Sequence, residues 1–168
     1  MFKVDIALSS VKSITPELLK KYNISGLLLD LDNTLTTHDN PTPGEGIIEW
    51  IASMKASGIK MIIVSNNYYE RVKPFADNLG LDFVPRGAKP LSKGFIEAKK
   101  RMDIPFENLA VVGDQIFTDV LGANMKRLKC IYVFPIEHEK KGFLRFKRRI
   151  EVPFLPKKLY DAKSDEKV

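Results

Sequence analysis

The stretch Gly26-Leu-Leu-Leu-Asp-Leu-Asp-Asn-Thr34 joins an unbroken apolar run to two aspartates that are separated by one residue. A short, continuous apolar run is typical of a strand that is buried on both faces of a parallel sheet. We therefore predict a strand over Gly26–Leu31. On a regular strand Asp30 and Asp32 would share a face and repel each other. A sharp turn after Asp30 would instead aim both carboxylates at one small volume.

On both sides of this stretch, apolar runs alternate with helical patterns. Further strands are predicted over residues 60–64, 81–84, 109–112 and 130–134. Helices are predicted over residues 16–22, 43–57, 68–79, 92–102 and 118–126, the first of them opened by the capping sequence Thr15-Pro16-Glu17. Alternating strands and helices form parallel sheets with right-handed crossovers. The sequence thus predicts an α/β, Rossmann-like fold, with a five-stranded parallel sheet of order 3-2-1-4-5 and helices on both faces.

The length of 168 residues predicts a single domain over residues 1–160, with a basic segment 137–160 appended and a disordered tail over 161–168. The single cysteine, Cys130, excludes an intramolecular disulfide and a cysteine-based zinc site. We interpret Cys130 as a core thiol and Trp50, on the apolar face of a predicted helix, as a core residue. No targeting or membrane-spanning segment is visible, so we expect a cytoplasmic protein, with peripheral contact at the inner face of the membrane as an open alternative.

The formal charge of +6 is unevenly distributed along the chain. Residues 1–125 carry 14 Lys and Arg against 15 Asp and Glu, whereas residues 126–168 carry 13 against 6. In the segment 140–150, apolar residues recur at helical spacing with cations between them: Phe143, Phe146 and Ile150. Such a segment either docks on an anionic lipid surface or packs its apolar side chains on the edge of its own sheet. The usual nucleic-acid-binding motifs are missing, so a nucleic-acid partner is not expected.

Polar side chains cluster where the predicted strands end. The carboxyl ends of neighbouring parallel strands form the ligand-binding edge of an open α/β sheet. Candidate residues at this edge are Asp30, Asp32, Thr34, Ser65, Asn66, Asn67, Lys89, Asp114 and Asp119. Gathered carboxylates need a counter-ion, and an oxygen-only set suits Mg²⁺, for which Asp30 and Asp114 are the natural side-chain ligands.

The same residues supply the groups that phosphoryl transfer requires. One carboxylate can attack phosphorus and form an aspartyl-phosphate, while a second acts as general acid and then as general base. Ser65 and Lys89 would hold the transferring phosphoryl group and offset its charge. Asn66 and Asn67 either cap the following helix or border the substrate. His38 is either an exposed loop residue or part of the entrance to the site.

These motifs, in this order along the chain, resemble those of the haloacid dehalogenase (HAD) superfamily phosphatases. The resemblance implies that Asp30 is the nucleophile and a Mg²⁺ ligand. It implies that Asp32 is the general acid and base and offers its main-chain carbonyl to the metal. It also implies that Asp114 binds Mg²⁺ directly and that Asp119 acts on the metal indirectly, through water or through the groups that bind the metal.

By the same resemblance, Ser65 and Lys89 bind phosphate and Thr34 supports the loop. Four segments narrow the resemblance to the YqeG family of HAD subfamily IIIA: Val11–Leu18, Leu28–Leu35, Ser65–Asn67 and Val112–Gly122. That family is similar to phosphatidylglycerophosphate phosphatases, which act on a lipid headgroup. The expected cofactor is therefore Mg²⁺, and the expected partner is a phosphorylated substrate.

The spacing of the motifs leaves no room for a cap domain. A loop and one helix fill the gap from Thr34 to Ser65, and a helix with a short strand fills the gap from Ser65 to Lys89. The expected function is Mg²⁺-dependent hydrolysis of a phosphomonoester, with phosphatidylglycerophosphate as the leading substrate. The alternatives are a phosphatase of soluble sugar phosphates or nucleotides, and a non-catalytic phosphate-binding or scaffold protein.

Overall fold

Six parallel strands form one sheet in the computed structural model, which describes residues 2–137 and 142–160. The strands are β1 (Ile6–Leu8), β2 (Gly26–Leu29), β3 (Lys60–Val64), β4 (Asp82–Val84), β5 (Leu109–Gly113) and β6 (Lys129–Val133). The helices are α1 (Pro16–Lys21), α2 (Ile47–Ala56), α3 (Tyr69–Leu79), α4 (Lys93–Met102), α5 (Leu121–Met125) and α6 (Gly142–Glu151). A π-helical turn over Ile116–Val120 leads into α5. The predicted tail 161–168 and the first two residues of the segment 140–150 lie outside the described residues.

The predicted count of five strands is wrong, and the sheet order differs from the predicted one because a strand is added at an edge. The order is β1-β6-β5-β2-β3-β4, in which the five predicted strands keep their relative positions. The added strand β1 pairs in parallel with β6, with Ile6 opposite Ile131 and Leu8 opposite Val133. A three-residue strand is too short to show an alternation pattern, so periodicity alone misses it.

Helices pack on both faces of the sheet, as the alternation of elements predicts. On β2, Leu27 and Leu29 belong to one core with Phe75 of α3, whereas Leu28 belongs to a second core with Phe95 of α4. Successive residues of a strand point to opposite faces of the sheet, so one apolar run fills both cores. The parallel, doubly covered α/β architecture is therefore confirmed.

The sequence predicts the start of α1 correctly but not the start of α2. Thr15 Oγ1 accepts a hydrogen bond from the Leu18 N–H at 3.2 Å and caps α1, as predicted. Helix α2 begins at Ile47 rather than at residue 43, because Gly46 has a φ of +75°, which a helix interior excludes. Cys130 is fully buried and Trp50 is 7% exposed, which confirms both as core residues.

The chain turns sharply at the end of β2, as the paired aspartates predict. The Asp30 N–H still donates to the Val112 carbonyl at 2.8 Å, and Leu35 N–H then donates to the Leu31 carbonyl at 3.0 Å, which closes a tight loop. From this loop to the end of β4 the chain holds only α2, β3, α3 and β4, so no cap domain is inserted within residues 34–89. No helix in the described ranges has both the length and the apolar character to cross a membrane.

Candidate active site

A buried lysine bridges two aspartates at the carboxyl edge of the sheet. Lys89 Nζ lies 2.6 Å from Asp30 Oδ1 and 2.7 Å from Asp119 Oδ1. Asp30 follows β2 and Asp119 lies in the turn after the neighbouring strand β5, so the sheet brings the two acids together. The side chains of Lys89 and Asp119 are 3% and 0% exposed, so water screens these charges weakly.

Asp114 completes a group of three buried carboxylates. Oxygen atoms of Asp30, Asp114 and Asp119 all lie within 4.8 Å of one another. Asp114 Oδ2 pairs with the guanidinium of Arg148 from α6. Asp114 Oδ1 is buried and, among the residues that the structure describes, has no hydrogen-bond partner. An all-oxygen donor set with an orphaned buried oxygen fits a hard divalent cation such as Mg²⁺.

Burial dominates the electrostatics of this group. Burial, reinforced by the charge of Asp119, raises the pKa of Asp30 to about 6. Burial also raises the pKa of Asp114 well above its usual range, although the charge of Arg148 opposes this shift. Burial acts to lower the pKa of Lys89, but Asp119 and Asp30 outweigh it and raise that pKa above its ordinary value. Lys89 therefore stays an ammonium, and a bound cation would further stabilise the ionised aspartates.

Asp32 lies outside this group and is oriented by its own donors. Its Oδ2 accepts a hydrogen bond from Asn67 Nδ2 at 2.7 Å, and its Oδ1 accepts one from Arg71 Nη2 at 2.9 Å. The backbone N–H of Asp39 also donates to Oδ1, at 3.2 Å. Asp30 contacts a lysine whereas Asp32 contacts an amide and a guanidinium, and such different surroundings suit two carboxylates with different chemical roles.

Asn66 fixes the backbone that carries the bridging lysine. Its Oδ1 accepts from the Lys89 N–H at 2.7 Å, and its Nδ2 donates to the Lys89 carbonyl at 2.9 Å. Ser65 Oγ accepts from the Asn67 N–H at 3.0 Å. The N-cap residue of α3 is Tyr68, and its side chain makes no capping hydrogen bond, so the interpretation of Asn66 and Asn67 as helix caps is wrong. Both asparagines instead hold other residues of the site.

A small cavity of about 220 Å³ opens at this edge of the sheet. It is lined by Asp30, Asp32, His38, Ser65, Asn66, Asn67, Lys89, Gln115, Thr118 and Lys147. The side chain of His38 is 33% exposed. His38 is therefore part of the entrance to the site rather than a fully exposed loop residue.

Three predicted site residues do not line this cavity. Asp114 and Asp119 are fully buried, and Asp119 joins the site through Lys89. Thr34 is also buried, and its Oγ1 has no hydrogen-bond partner within the described chain. The remaining predicted residues lie together around the cavity, which is the arrangement expected of strand ends in an open α/β sheet.

Four residues that the sequence motifs do not predict also contact these groups: Arg71, Gln115, Lys147 and Arg148. Lys147 Nζ donates to Gln115 Oε1 at 2.6 Å, and Arg148 Nη1 donates to the Asp114 carbonyl at 2.5 Å. Arg71, Lys147 and Arg148 lie on helices, whereas the site residues were predicted from polar side chains that follow strands. The cation-rich segment 140–150 is the one sequence feature that singles out α6, and nothing in it indicates a contact with Asp114.

Comparison with known proteins assigns this site to a family. A model of the family described as haloacid dehalogenase-like hydrolase matches residues 38–125. The chain belongs to the haloacid dehalogenase-like hydrolases, a family of enzymes, which confirms the resemblance carried by the motifs. Over 150 residues it is 41% identical to the "Probable phosphatase YqeG" of Bacillus subtilis (strain 168), a match that covers 89% of this chain and 87% of that protein.

Solved structures share the fold at low sequence identity. The 4-nitrophenylphosphatase from Thermotoga maritima superposes with a TM-score of 0.59 at 13% identity, covering 73% of this chain and 90% of that one. An uncharacterized protein from Listeria monocytogenes serotype 4b gives a TM-score of 0.58 at 20% identity, covering 70% of this chain and 85% of that one. Both similarities concern the fold.

Proposed function

We propose that the chain is a Mg²⁺-dependent phosphomonoester phosphatase that works through an aspartyl-phosphate on Asp30. The observation that carries this proposal is the position of Asp30, which lines the cavity with its Oδ1 2.6 Å from Lys89 Nζ. A carboxylate next to a fixed cation can attack phosphorus while the cation offsets the charge of the transferring group. The name of the Bacillus subtilis relative, a probable phosphatase, supports the same activity.

The reaction takes two displacements at phosphorus. In the first, an Asp30 oxygen bonds to phosphorus as the bond to the ester oxygen breaks, and Asp32 gives a proton to the leaving oxygen. In the second, Asp32 takes a proton from water that attacks the same phosphorus, which releases inorganic phosphate and restores the Asp30 carboxylate. Asn67 and Arg71 orient Asp32 for both proton transfers. A Mg²⁺ ion held by the three buried aspartates would supply further neutralisation of the phosphoryl oxygens.

Turnover of p-nitrophenyl phosphate tests the nucleophile and the metal. The wild type with Mg²⁺ should release p-nitrophenol, and Asp30→Asn should lower kcat by roughly 10⁴-fold or more. Asp77→Asn is the matched control, because Asp77 is an exposed acid on α3. EDTA should abolish turnover. Full activity of Asp30→Asn would show that Asp30 is not the nucleophile. Activity in EDTA would show that the reaction does not require the metal.

We further propose that the substrate is a phospholipid headgroup phosphate, with phosphatidylglycerophosphate as the candidate. A groove of about 1100 Å³ between the end of β6 and α6 supports this choice. Its apolar lining includes Tyr132, Phe134, Ile136, Val152 and Leu155. Its charged lining comprises three arginines of α6 and two glutamates: Arg145, Arg148, Arg149, Glu137 and Glu151. Apolar side chains beside guanidinium groups match the chemistry of an amphiphilic anion.

Helix α6 joins this groove to the catalytic site. Arg148 lines the groove and pairs with Asp114, and the preceding residue, Lys147, lines the catalytic cavity. Phe146 and Ile150 are 61% and 45% exposed, so these two side chains are accessible for contact outside the chain, which supports the lipid alternative. We therefore propose that the exposed residues of α6 contact an anionic membrane surface.

A substrate panel tests this choice. Phosphate release from phosphatidylglycerophosphate in mixed micelles is compared with release from soluble sugar phosphates and nucleotides. The proposal expects a higher kcat/KM for the lipid. A clear preference for a soluble ester would reject the lipid and support the soluble-phosphate alternative.

A further inference from the structure

Part of the catalytic cavity has no role in the proposed bond-making steps. His38, Gln115, Thr118 and Lys147 line it beside the residues assigned to phosphoryl transfer. Gln115 ties this part together, because its Oε1 accepts from Lys147 Nζ at 2.6 Å and from Thr118 Oγ1 at 3.2 Å. These polar side chains are positioned to contact the rest of the substrate.

Lys147 differs from the other cations of the cavity region in its charge balance. Lys89 and Arg71 each form ion pairs with aspartates of the motifs. Across residues 2–137 and 142–160, no carboxylate forms an ion pair with Lys147, and its hydrogen bond goes to the neutral amide of Gln115. An ammonium that lines a cavity and forms no ion pair of its own favours an anion beside it.

Contacts of the same helix fix the position of Lys147. Arg148 pairs with the Asp114 carboxylate and donates to its backbone carbonyl. The buried Glu151 accepts from Arg148 Nη1 at 3.1 Å and from the Phe117 N–H at 3.2 Å. These bonds attach one turn of α6 to the segment after β5, so the ammonium is held at the cavity before substrate binds.

We propose that Lys147 binds a second anionic group of the substrate, so that the enzyme acts on phosphomonoesters that carry another anion a few bonds from the ester that is cleaved. The inference rests on the proposed function, because it needs the phosphoryl group at Asp30 and Lys89. The cavity, at about 220 Å³, is below the roughly 300–1,000 Å³ of sites for drug-sized ligands. Both anions must therefore lie close together.

A carboxylate, a second phosphate or a phosphodiester would meet this requirement. Soluble esters and lipid headgroups can both carry such a group, so the test uses one matched pair of each. Glycerol 3-phosphate and 3-phosphoglycerate differ by a carboxylate in place of a hydroxymethyl group. Phosphatidylglycerophosphate differs from phosphatidate by a phosphodiester and a glycerol unit between the diacylglycerol and the terminal phosphate, and both are presented in mixed micelles.

The variants are Lys147→Ala, Lys147→Arg and, as the matched control, Lys100→Ala, because Lys100 is an exposed lysine on α4. The wild type should prefer the two-anion member of at least one pair. Lys147→Ala should raise KM for that member roughly 10- to 100-fold, which is the range expected when a charged hydrogen bond is lost. The same variant should change the KM for p-nitrophenyl phosphate and for the one-anion members by less than about threefold. Lys147→Arg should retain most of the preference.

Binding measured without turnover separates this inference from the proposed function. In the Asp30→Asn background, calorimetry should show that Lys147→Ala weakens the binding of 3-phosphoglycerate or of phosphatidylglycerophosphate. It should not weaken the binding of the one-anion member of the same pair. If affinity is lost only for the two-anion member of the soluble pair, the substrate is a soluble ester. If affinity is lost only for the two-anion member of the lipid pair, the substrate is a lipid headgroup. Equal effects on both members of each pair, or no effect, would overturn the inference. If the wild type hydrolyses none of the esters, the proposed function fails, and the binding result still decides the role of Lys147.

Discussion

Asp30 is held where its protonated form is favoured, because burial and the charge of Asp119 outweigh the attraction of Lys89. Its pKa of about 6 in the folded chain exceeds the value of 3.8 expected for an unfolded chain. The folded state therefore binds this proton more tightly, and stability contributed by the protonated carboxyl is lost as pH rises from 3.8 through 6. The ionised carboxylate of Asp30 therefore destabilises the metal-free fold at neutral pH.

Asp30→Asn should therefore stabilise the metal-free protein in EDTA at pH 7.5. The expected gain in the free energy of unfolding is up to about 3 kcal/mol, and it should fall to about half of that at pH 5. Urea unfolding at the two pH values measures the change. The exposed Asp77→Asn should stay within about 0.5 kcal/mol of the wild type at both. A loss of stability in Asp30→Asn at pH 7.5 would contradict this account of Asp30.

Arg71 contacts Asp32 Oδ1 at 2.9 Å, and we predict that it acts on the reaction through Asp32. Arg71→Ala should lower kcat for p-nitrophenyl phosphate by about 10- to 100-fold with little change in KM, because Asp32 loses a donor that orients it. Arg71→Lys should recover part of the loss. Lys73→Ala, an exposed cation on the same helix, should behave like the wild type. If Arg71→Ala raised KM alone, Arg71 would have to bind substrate directly.

At the scale of elements, strand ends were predictable and helix-borne partners were not. Asp30 and Asp114 follow apolar runs that identify buried strands, and neighbouring parallel strands must end at one edge. Arg71 lies in α3, where a cation on a helix usually faces solvent, so its partner Asp32 cannot be inferred from spacing. Arg148 pairs with Asp114 across 34 residues, and that contact depends on how α6 docks.

The docking of α6 depends on one buried acid. Glu151 is fully buried and is bonded to Arg148 and to the Phe117 N–H. Glu151→Ala should lower the free energy of unfolding by about 3 kcal/mol, because the Phe117 N–H loses its acceptor and Arg148 loses one of the two acids that it contacts. Glu97→Ala removes an exposed ion pair with Arg101 and should cost less than about 1 kcal/mol. Equal losses in urea unfolding would show that Glu151 is not an anchor.

Across the whole molecule, catalysis and net charge occupy different parts of the chain. Residues 1–125 carry nearly equal numbers of acids and bases and supply all three buried aspartates, whereas residues 126–168 carry the basic excess. The fold then brings one helix of the basic part against the site, through Arg148 and Lys147. If Lys147 binds the substrate as we propose, the charge of this part serves substrate binding.

This charge distribution predicts binding to anionic membranes with a defined orientation. The protein should sediment with vesicles of phosphatidylcholine and phosphatidylglycerol but not with phosphatidylcholine alone, and binding should weaken from about 0.05 to 0.5 M salt as the Debye length shortens. Reversing Arg145 and Arg149 to Glu should reduce binding at least about tenfold, since each basic residue near such a surface contributes ~1 kcal/mol. The same reversal at the exposed Lys93 and Lys100 of α4 gives an equal change in net charge. Equal loss in both double variants would mean that net charge, and not α6, governs the attraction.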